Sequence, residues 1–208
     1  MISYTITVCN EDKELDHLLG FLKDRITKHD EIVVQMDSMS VTSSVRDVID
    51  SYRNQIDSFV VIEFPLDKDF AQFKNNLKSH CSKEWIFNID ADELPSETLM
   101  QNIHGILKEV NGIEMILVPR WNIVNGITEE HIKKWGWRYD AENRVNWPDY
   151  QTRIYKNDEN IVWKNKVHER LTGYNTYADF PPQEEFCLYH TKDIERQEKQ
   201  NNFYTTIQ

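Results

Sequence analysis

The chain has 208 residues and a formal net charge of -11, with 24 Lys and Arg against 35 Asp and Glu. That length suits one sizeable core, and the acidic balance excludes a general nucleic-acid binder or a protein held on an anionic membrane surface, both of which need a basic face. Three scattered cysteines, Cys9, Cys81 and Cys187, make no disulfide framework and suit a reducing, cytoplasmic setting; no apolar run approaches the ~20 residues of a transmembrane segment, and the first residues lack the shape of a secretion signal.

Ile2 to Val8 alternates apolar and polar residues and predicts a first strand. Asn10, an N-cap type of residue, follows, and Leu15, Leu18, Leu19, Leu22 and Ile26 then recur at helical spacing. Glu31 to Met36 predicts a second strand that runs into Asp37. Val45, Val48, Ile49 and Tyr52 mark a second helix, and Phe59 to Phe64 is a third strand stopped by Pro65. Phe70, Phe73, Leu77 and Cys81 line one face of a third helix, which leads into the apolar run Trp85 to Ile89. Short apolar strands alternating with helices imply right-handed crossovers and a largely parallel sheet.

The Trp85 strand ends in Asp90, Asp92 and Glu93. Like charges so close repel and lose hydration, so the cluster belongs at an exposed strand end. One reading is a solvated acidic turn before a helix. The other is a divalent-cation site, because hard cations take carboxylate oxygens and ligands of open α/β sheets bind at the C-terminal ends of the strands. Asn10 and Glu11 follow the first strand, and Asp37 ends the second. Side by side, the three strand ends would form one polar crevice; the alternative for Asn10 and Asp37 is capping and turn chemistry.

In the second half, Pro95-Ser96 starts a helix with Leu99, Ile103, Ile106, Leu107 and Val110 on its buried face, and Ile113 to Pro119 reads as a strand. Arg120 to Pro148 is weakly patterned, with a helical stretch at His131 to Trp137. A long irregular segment of this kind is a functional loop or a disordered one, and Trp121, Trp135, Trp137 and Trp147 argue against disorder. Those tryptophans suit either stacking on a sugar ring or plugging a small core. Tyr150 to Lys156 and Asn160 to Trp163 read as a hairpin around Asn157-Asp158. Arg153 to Arg170 is a basic island holding Lys166, His168 and Glu169. Phe186 to His190 is a last strand, and Thr191 to Gln208 a polar surface helix.

Taken in order, these segments resemble the family 2 glycosyltransferases of the GT-A fold, and more narrowly their lipopolysaccharide-core-type branch. I-S-Y-T-I-T-V-C-N-E is similar to the family's opening strand, and E-I-V-V-Q-M-D-S-M-S to its second strand. D-F-A-Q-F-K-N-N-L is similar to its D-F-S-x-x-R-N helix, with Lys74 where the arginine stands. W-I-F-N-I-D-A-D-E is similar to the D-x-D strand; W-P-D-Y-Q-T-R-I-Y-K, V-H-E-R and L-Y-H follow as in the family. Two departures stand out. In the D-x-x-S-x-D turn the second acid is replaced by Thr42, and the chain is short for the family. The short length leaves open a minimal acceptor side or a site completed by a partner or an oligomer.

The resemblance implies an α/β, Rossmann-like GT-A domain: one mixed, mostly parallel sheet flanked by helices. Residues 1–93 would be its nucleotide-binding half and 94–208 its acceptor-side half. It implies a metal-dependent inverting transfer from a UDP- or GDP-sugar to a glycan or lipid-linked acceptor. Asp90, Asp92 and His190 would hold Mn²⁺ or Mg²⁺, an imidazole favouring Mn²⁺. Asn10, Glu11, Asp37, Lys74, Asn75, Asp90, Ala91, Arg153 and Lys166 would hold the nucleotide sugar. Glu169 is the expected base for the acceptor hydroxyl, with Asp149 in reserve, and Trp121, Trp147, Gln151 and His168 would face the acceptor. A catalytically idle relative that binds a nucleotide sugar or glycan is the main rival. A nucleotidyltransferase would want a Gly-rich phosphate loop, and none follows Val8.

Overall fold

In a computed structural model, which describes residues 1–199, the chain folds around one mixed sheet of nine strands and a separate two-stranded ribbon. The first half follows the expected alternation. Strands β1 (Ile2–Val8), β2 (Glu31–Asp37), β3 (Phe59–Phe64) and β4 (Trp85–Asp90) pair in parallel, β1 lying between β2 and β4. Helices α1 (Asp12–Lys23), α2 (Ser43–Tyr52) and α3 (Phe70–Ser79) form the crossovers. After the short β5 (Glu93–Pro95) comes α4 (Glu97–Glu109), whose N-terminus is capped by Ser96 Oγ accepting from the Leu99 amide.

The alternation of β1 decides what each face of the sheet packs. Ile2, Tyr4, Ile6 and Val8 join Leu15, Leu18, Leu19 and Leu22 of α1, Ile49 of α2 and Leu99 and Ile103 of α4 in the main core. Each fully buried aliphatic side chain there contributes roughly 1.5–3 kcal/mol. The opposite face meets α3 and is more polar: Thr5 Oγ1 donates to Asn88 Oδ1, and Gln35 Nε2 to the Phe73 carbonyl. Thr42, the residue in place of the family's second acid, caps α2 by accepting from the Val45 amide.

The second half departs from the expectations in several places. β6 runs from Met115 to Asn125, so Arg120 to Asn125 is strand, and the helical stretch is α5 (Glu129–Trp135). The expected hairpin from Tyr150 to Trp163 does not form. Instead β7 (Val145–Lys156) lies antiparallel between β4 and β6. Ile154 and Tyr155 are almost fully buried, which suits a strand with neighbours on both sides. β8 (Val162–Lys164) pairs with β9 (Arg170–Thr172) to form the separate ribbon.

β10 (Tyr177–Asp179) and β11 (Leu188–Asp193) lie parallel to successive stretches of β6, and β5 closes the sheet against β11. The sheet order is therefore β3-β2-β1-β4-β7-β6-β11-β5. Thr191 to Asp193, expected to open the polar helix, instead extend β11 alongside β6; residues 194–199 are helical, and the remainder of the expected helix lies outside the described residues. Among the described residues no helix is long and apolar enough to cross a membrane.

Candidate active site

The topology carries the acids after β4 directly to β11. The β5–β11 pairing sets Glu93 opposite His190, and the β11–β6 pairing sets His190 opposite Asn122. Asp92 Oδ2 thus comes to 3.5 Å from His190 Nε2. Two further cations share that carboxylate, Lys192 Nζ at 3.4 Å and Arg196 Nη2 at 3.5 Å. Burial disfavours charge on Asp92, but His190, Lys192 and Arg196 outweigh it and hold the carboxyl well below the usual range. Burial also lowers the His190 pKa, a direction that favours neutral imidazole. Arg196 reaches further, to Glu11 at 3.2 Å and to Glu14 in an ion pair.

Asp90 has a different partner. The buried Arg153 guanidinium donates to both Asp90 and Glu93. Arg153 and Lys74 outweigh the burial that would raise the Asp90 pKa, and hold it down. Ala91 is buried between the two acids. Arg120 extends the network from Glu93, at 3.1 Å, to Asp149. The Asp149 carboxylate accepts from Arg120 at 2.7 and 2.9 Å, from Asn122 at 2.8 Å and from Gln151 at 2.8 Å. Those donors outweigh burial and keep its pKa low. A carboxylate so fully occupied and so acidic is a poor proton acceptor.

Glu169 is placed by the ribbon, immediately before β9. Its Oε1 lies 2.7 Å from Lys74 Nζ of α3, and Lys74 is 8% exposed. The same ammonium lies over the Trp163 ring. The Lys74 charge also acts on the Asp90 carboxylate. His168 sits at φ +54, the left-handed region that costs a non-glycine residue strain. Lys166 exposes its side chain, and its carbonyl accepts from the Phe70 amide. Asn75 is committed to the ribbon: its amide donates to the Trp163 carbonyl and accepts from the Trp163 amide.

At the other strand ends, Asp37 accepts from the amides of Met39 and Leu66 and from Ser40. Glu11 accepts from the amides of Cys9 and Asn10, while Asn10 is exposed. Trp121 and Trp147 lie 5.6 Å apart, with Tyr189 6.0 Å from Trp121. Trp121 and Tyr189 alternate with Asn122 and His190, so this cluster lies on the reverse face of the β6–β11 pair. Arg144 lies over both indoles, covering surface that a sugar would need, so these contacts fit the core-plug reading. A cavity of about 490 Å³ also lies behind β5, bounded by Leu94 and Tyr189, away from His190.

Motif reading missed Glu93, Arg120, Asn122, Lys192 and Arg196. Glu93 stood in the acidic cluster; the others carried no local signal, because their partners come from other strands. Among the described residues no cluster of three His, Cys, Asp or Glu side chains is set for a metal. Asp92 and His190 therefore offer an oxygen and a nitrogen, a donor pair that suits Mn²⁺ with the remaining positions left to a ligand.

The family model described as "Glycosyl transferase family 2" matches residues 3–177. The SPbeta prophage-derived glycosyltransferase SunS of Bacillus subtilis (strain 168) is 26% identical over 192 residues, which is 91% of this chain and 39% of the relative. The chain thus spans well under half the length of the curated relatives it matches. The crystal structure of S. aureus TarS 1–349 in complex with UDP-GlcNAc superposes with a TM-score of 0.66 at 17% identity, covering 92% of this chain and 58% of that one. The TarS 1–349 structure in complex with UDP gives 0.65 at 16%, covering 91% and 60%. These superpositions establish the fold as the GT-A one.

Proposed function

The chain belongs to glycosyl transferase family 2, and from that premise we propose that it moves a sugar, with inversion, from a nucleotide-diphosphate sugar to an acceptor hydroxyl with the help of Mn²⁺ or Mg²⁺. The observation that carries this reading is the meeting of Asp92 and His190, distant in sequence and 3.5 Å apart in space. A bound divalent cation would supply Lewis-acid stabilisation of the charge that grows on the departing diphosphate. Asp92 and His190 would hold it, and Arg196 and Lys192 would yield part of the Asp92 carboxylate to it.

Glu169 is the proposed base, since its carboxylate pairs through Oε1 with Lys74, whose charge also acts on Asp90, whereas Asp149 is fully engaged. In the reaction the acceptor oxygen bonds to the anomeric carbon as its proton passes to Glu169. The bond to the phosphate oxygen breaks, and the nucleoside diphosphate leaves with the electron pair. One base acting opposite the leaving group gives inversion. Residues 1–93 form the proposed nucleotide half, with Asn10, Glu11 and Asp37 at the strand ends and Arg153 beside Asp90. The acceptor half, 94–208, brings Gln151 and His168, with Trp121 and Trp147 as backing. The D-x-D and V-H-E motifs support the lipopolysaccharide-core-type branch, and three free cysteines suit the cytoplasm.

Calorimetry with UDP and GDP, with and without Mn²⁺ or Mg²⁺, tests the reading; UDP-GlcNAc is the first donor to screen, as the TarS complex holds it. Nucleotide binding that needs the cation and is lost in Asp92→Ala supports it, and binding indifferent to both defeats it. Arg196 bridging Asp92 and Glu11 favours one second reading, an idle relative. Nucleotide binding without transfer or donor hydrolysis would select that one.

A further inference from the structure

The β8–β9 ribbon carries a charge pattern that folding alone does not favour. Lys164 and Arg170 are register partners on its two antiparallel strands, and both are exposed. Side chains directly opposite in such a pair stand about 5 Å apart, and like charges there repel. Lys166, exposed in the loop between the strands, adds a third positive charge. Among the described residues none of the three has a carboxylate partner, although the chain holds 35 Asp and Glu against 24 Lys and Arg. The acid of the loop, Glu169, turns to Lys74 instead.

The fold fixes this patch beside the proposed base. Trp163 and Leu171 are buried in the smaller core cluster under the ribbon, so their alternating neighbours Lys164 and Arg170 face outward. The loop, residues 165–169, turns through two left-handed residues, Asn165 at φ +74 and His168 at φ +54. It is tied to α3 by the Phe70 amide, which donates to the Lys166 carbonyl at 2.9 Å. Arg170 directly follows Glu169, and consecutive Cα atoms lie about 3.8 Å apart. A group bound by Arg170 and a hydroxyl brought to Glu169 therefore fit within one substituted sugar.

We propose that Lys164, Lys166 and Arg170 bind a phosphate group on the acceptor, so that the acceptor is a phosphorylated sugar and not a neutral glycan. This rests on the reading of Glu169 as the base. A guanidinium fork and two ammonium groups match the oxygens of a phosphate, whose negative charge relieves the repulsion across the ribbon. In the proposed function the donor's diphosphate is met by the cation at Asp92 and His190, so Lys166 moves from the donor to the acceptor. Three cations on a chain of net charge -11 fall short of the about four to eight that hold a protein on an anionic bilayer.

The test is ¹⁵N–¹H correlation spectroscopy of the full chain with UDP and Mg²⁺ present, titrated with glucose 6-phosphate and, as the uncharged control, glucose. Glucose 6-phosphate is expected to shift the amides of residues 164–170, and glucose to leave them in place. The double change Lys164→Ala with Arg170→Ala should weaken that binding about tenfold and leave UDP affinity unchanged. Lys164→Glu sets opposite charges across the ribbon, so it should lose the phosphate-induced shifts yet unfold at a higher urea concentration than the wild type. Absent shifts, equal shifts with glucose, UDP affinity that falls in the double variant, or a lower urea midpoint in Lys164→Glu overturns the proposal. Sedimentation with phosphatidylglycerol vesicles that is lost in the double variant also overturns it, as the patch is then a membrane contact. The base reading fails separately, if Glu169→Gln transfers sugar at the wild-type rate while glucose 6-phosphate still shifts residues 164–170.

Discussion

The ammonium of Lys74 lies 2.7 Å from Glu169 Oε1, joining helix α3 to the loop that leads into β9. Both groups are largely withdrawn from water, so each depends on the other for charge compensation. Changing Glu169 to Gln is expected to lower transfer about 10²–10⁴-fold while leaving UDP affinity unchanged. Full activity in that variant would transfer the base to another residue.

The same pair sets a stability prediction. Lys74→Met and Glu169→Met each leave one charge poorly solvated, and each should cost about 3 kcal/mol in urea unfolding. The double change should cost clearly less than the sum of the two. Simple additivity would mean that the two side chains are not coupled.

Arg196 competes with any cation for Asp92. It is about one-third exposed, so its hold is that of a partly solvated ion pair, roughly 0.2–1 kcal/mol. Arg196→Ala is therefore expected to raise Mn²⁺ affinity by up to about fivefold, read by titration with paramagnetic resonance. A weakened affinity would show instead that Arg196 helps to assemble the site.

Gly173 follows β9 at φ +90, and a Cβ there would stand 1.9 Å from the Asn160 carbonyl oxygen. Neither the backbone conformation nor the space admits a side chain. Gly173→Ala should destabilise the protein by about 2 kcal/mol or more in urea unfolding. Transfer should fall as well, since the ribbon carries Glu169. Unchanged stability would mean the ribbon end can shift.

Glu31 gives a pH dependence away from the site. Burial opposes its charge, but hydrogen bonds from Ser3 and Ser82 and the nearby Lys83 outweigh burial and hold its pKa below the ordinary value. A carboxylate more acidic when folded stabilises the fold at neutral pH, and that contribution is lost as pH falls through the folded value. Glu31→Gln should be less stable at pH 7 and show a shallower loss between about pH 5 and pH 3. Parallel acid-unfolding curves for the two proteins would rule out this linkage.

Much of the fold was legible because its signals are local. Alternation in Ile2–Val8 and helical spacing from Leu15 to Leu22 need only neighbouring residues, and the first four strands lie where those patterns put them. Asp92, Glu169 and His190 stood out because each sits in a short motif. The β7 strand was misassigned to a hairpin because a strand's own residues do not say which strands flank it. Its neighbours, β4 and β6, are remote in sequence from the turn at Asn157.

The sequence by itself determined the fold class, the family resemblance and the side chains able to carry the chemistry, because periodicity and motif are properties of contiguous residues. Only the tertiary structure decided the partnerships: Asn122 against His190, Arg120 against Asp149, Lys74 against Glu169, and Arg196 across Asp92 and Glu11. The physical reason is that each of these contacts acts over a few ångströms between separate strands, helices and loops. Sheet order and register set those distances, and neither is encoded within any one segment.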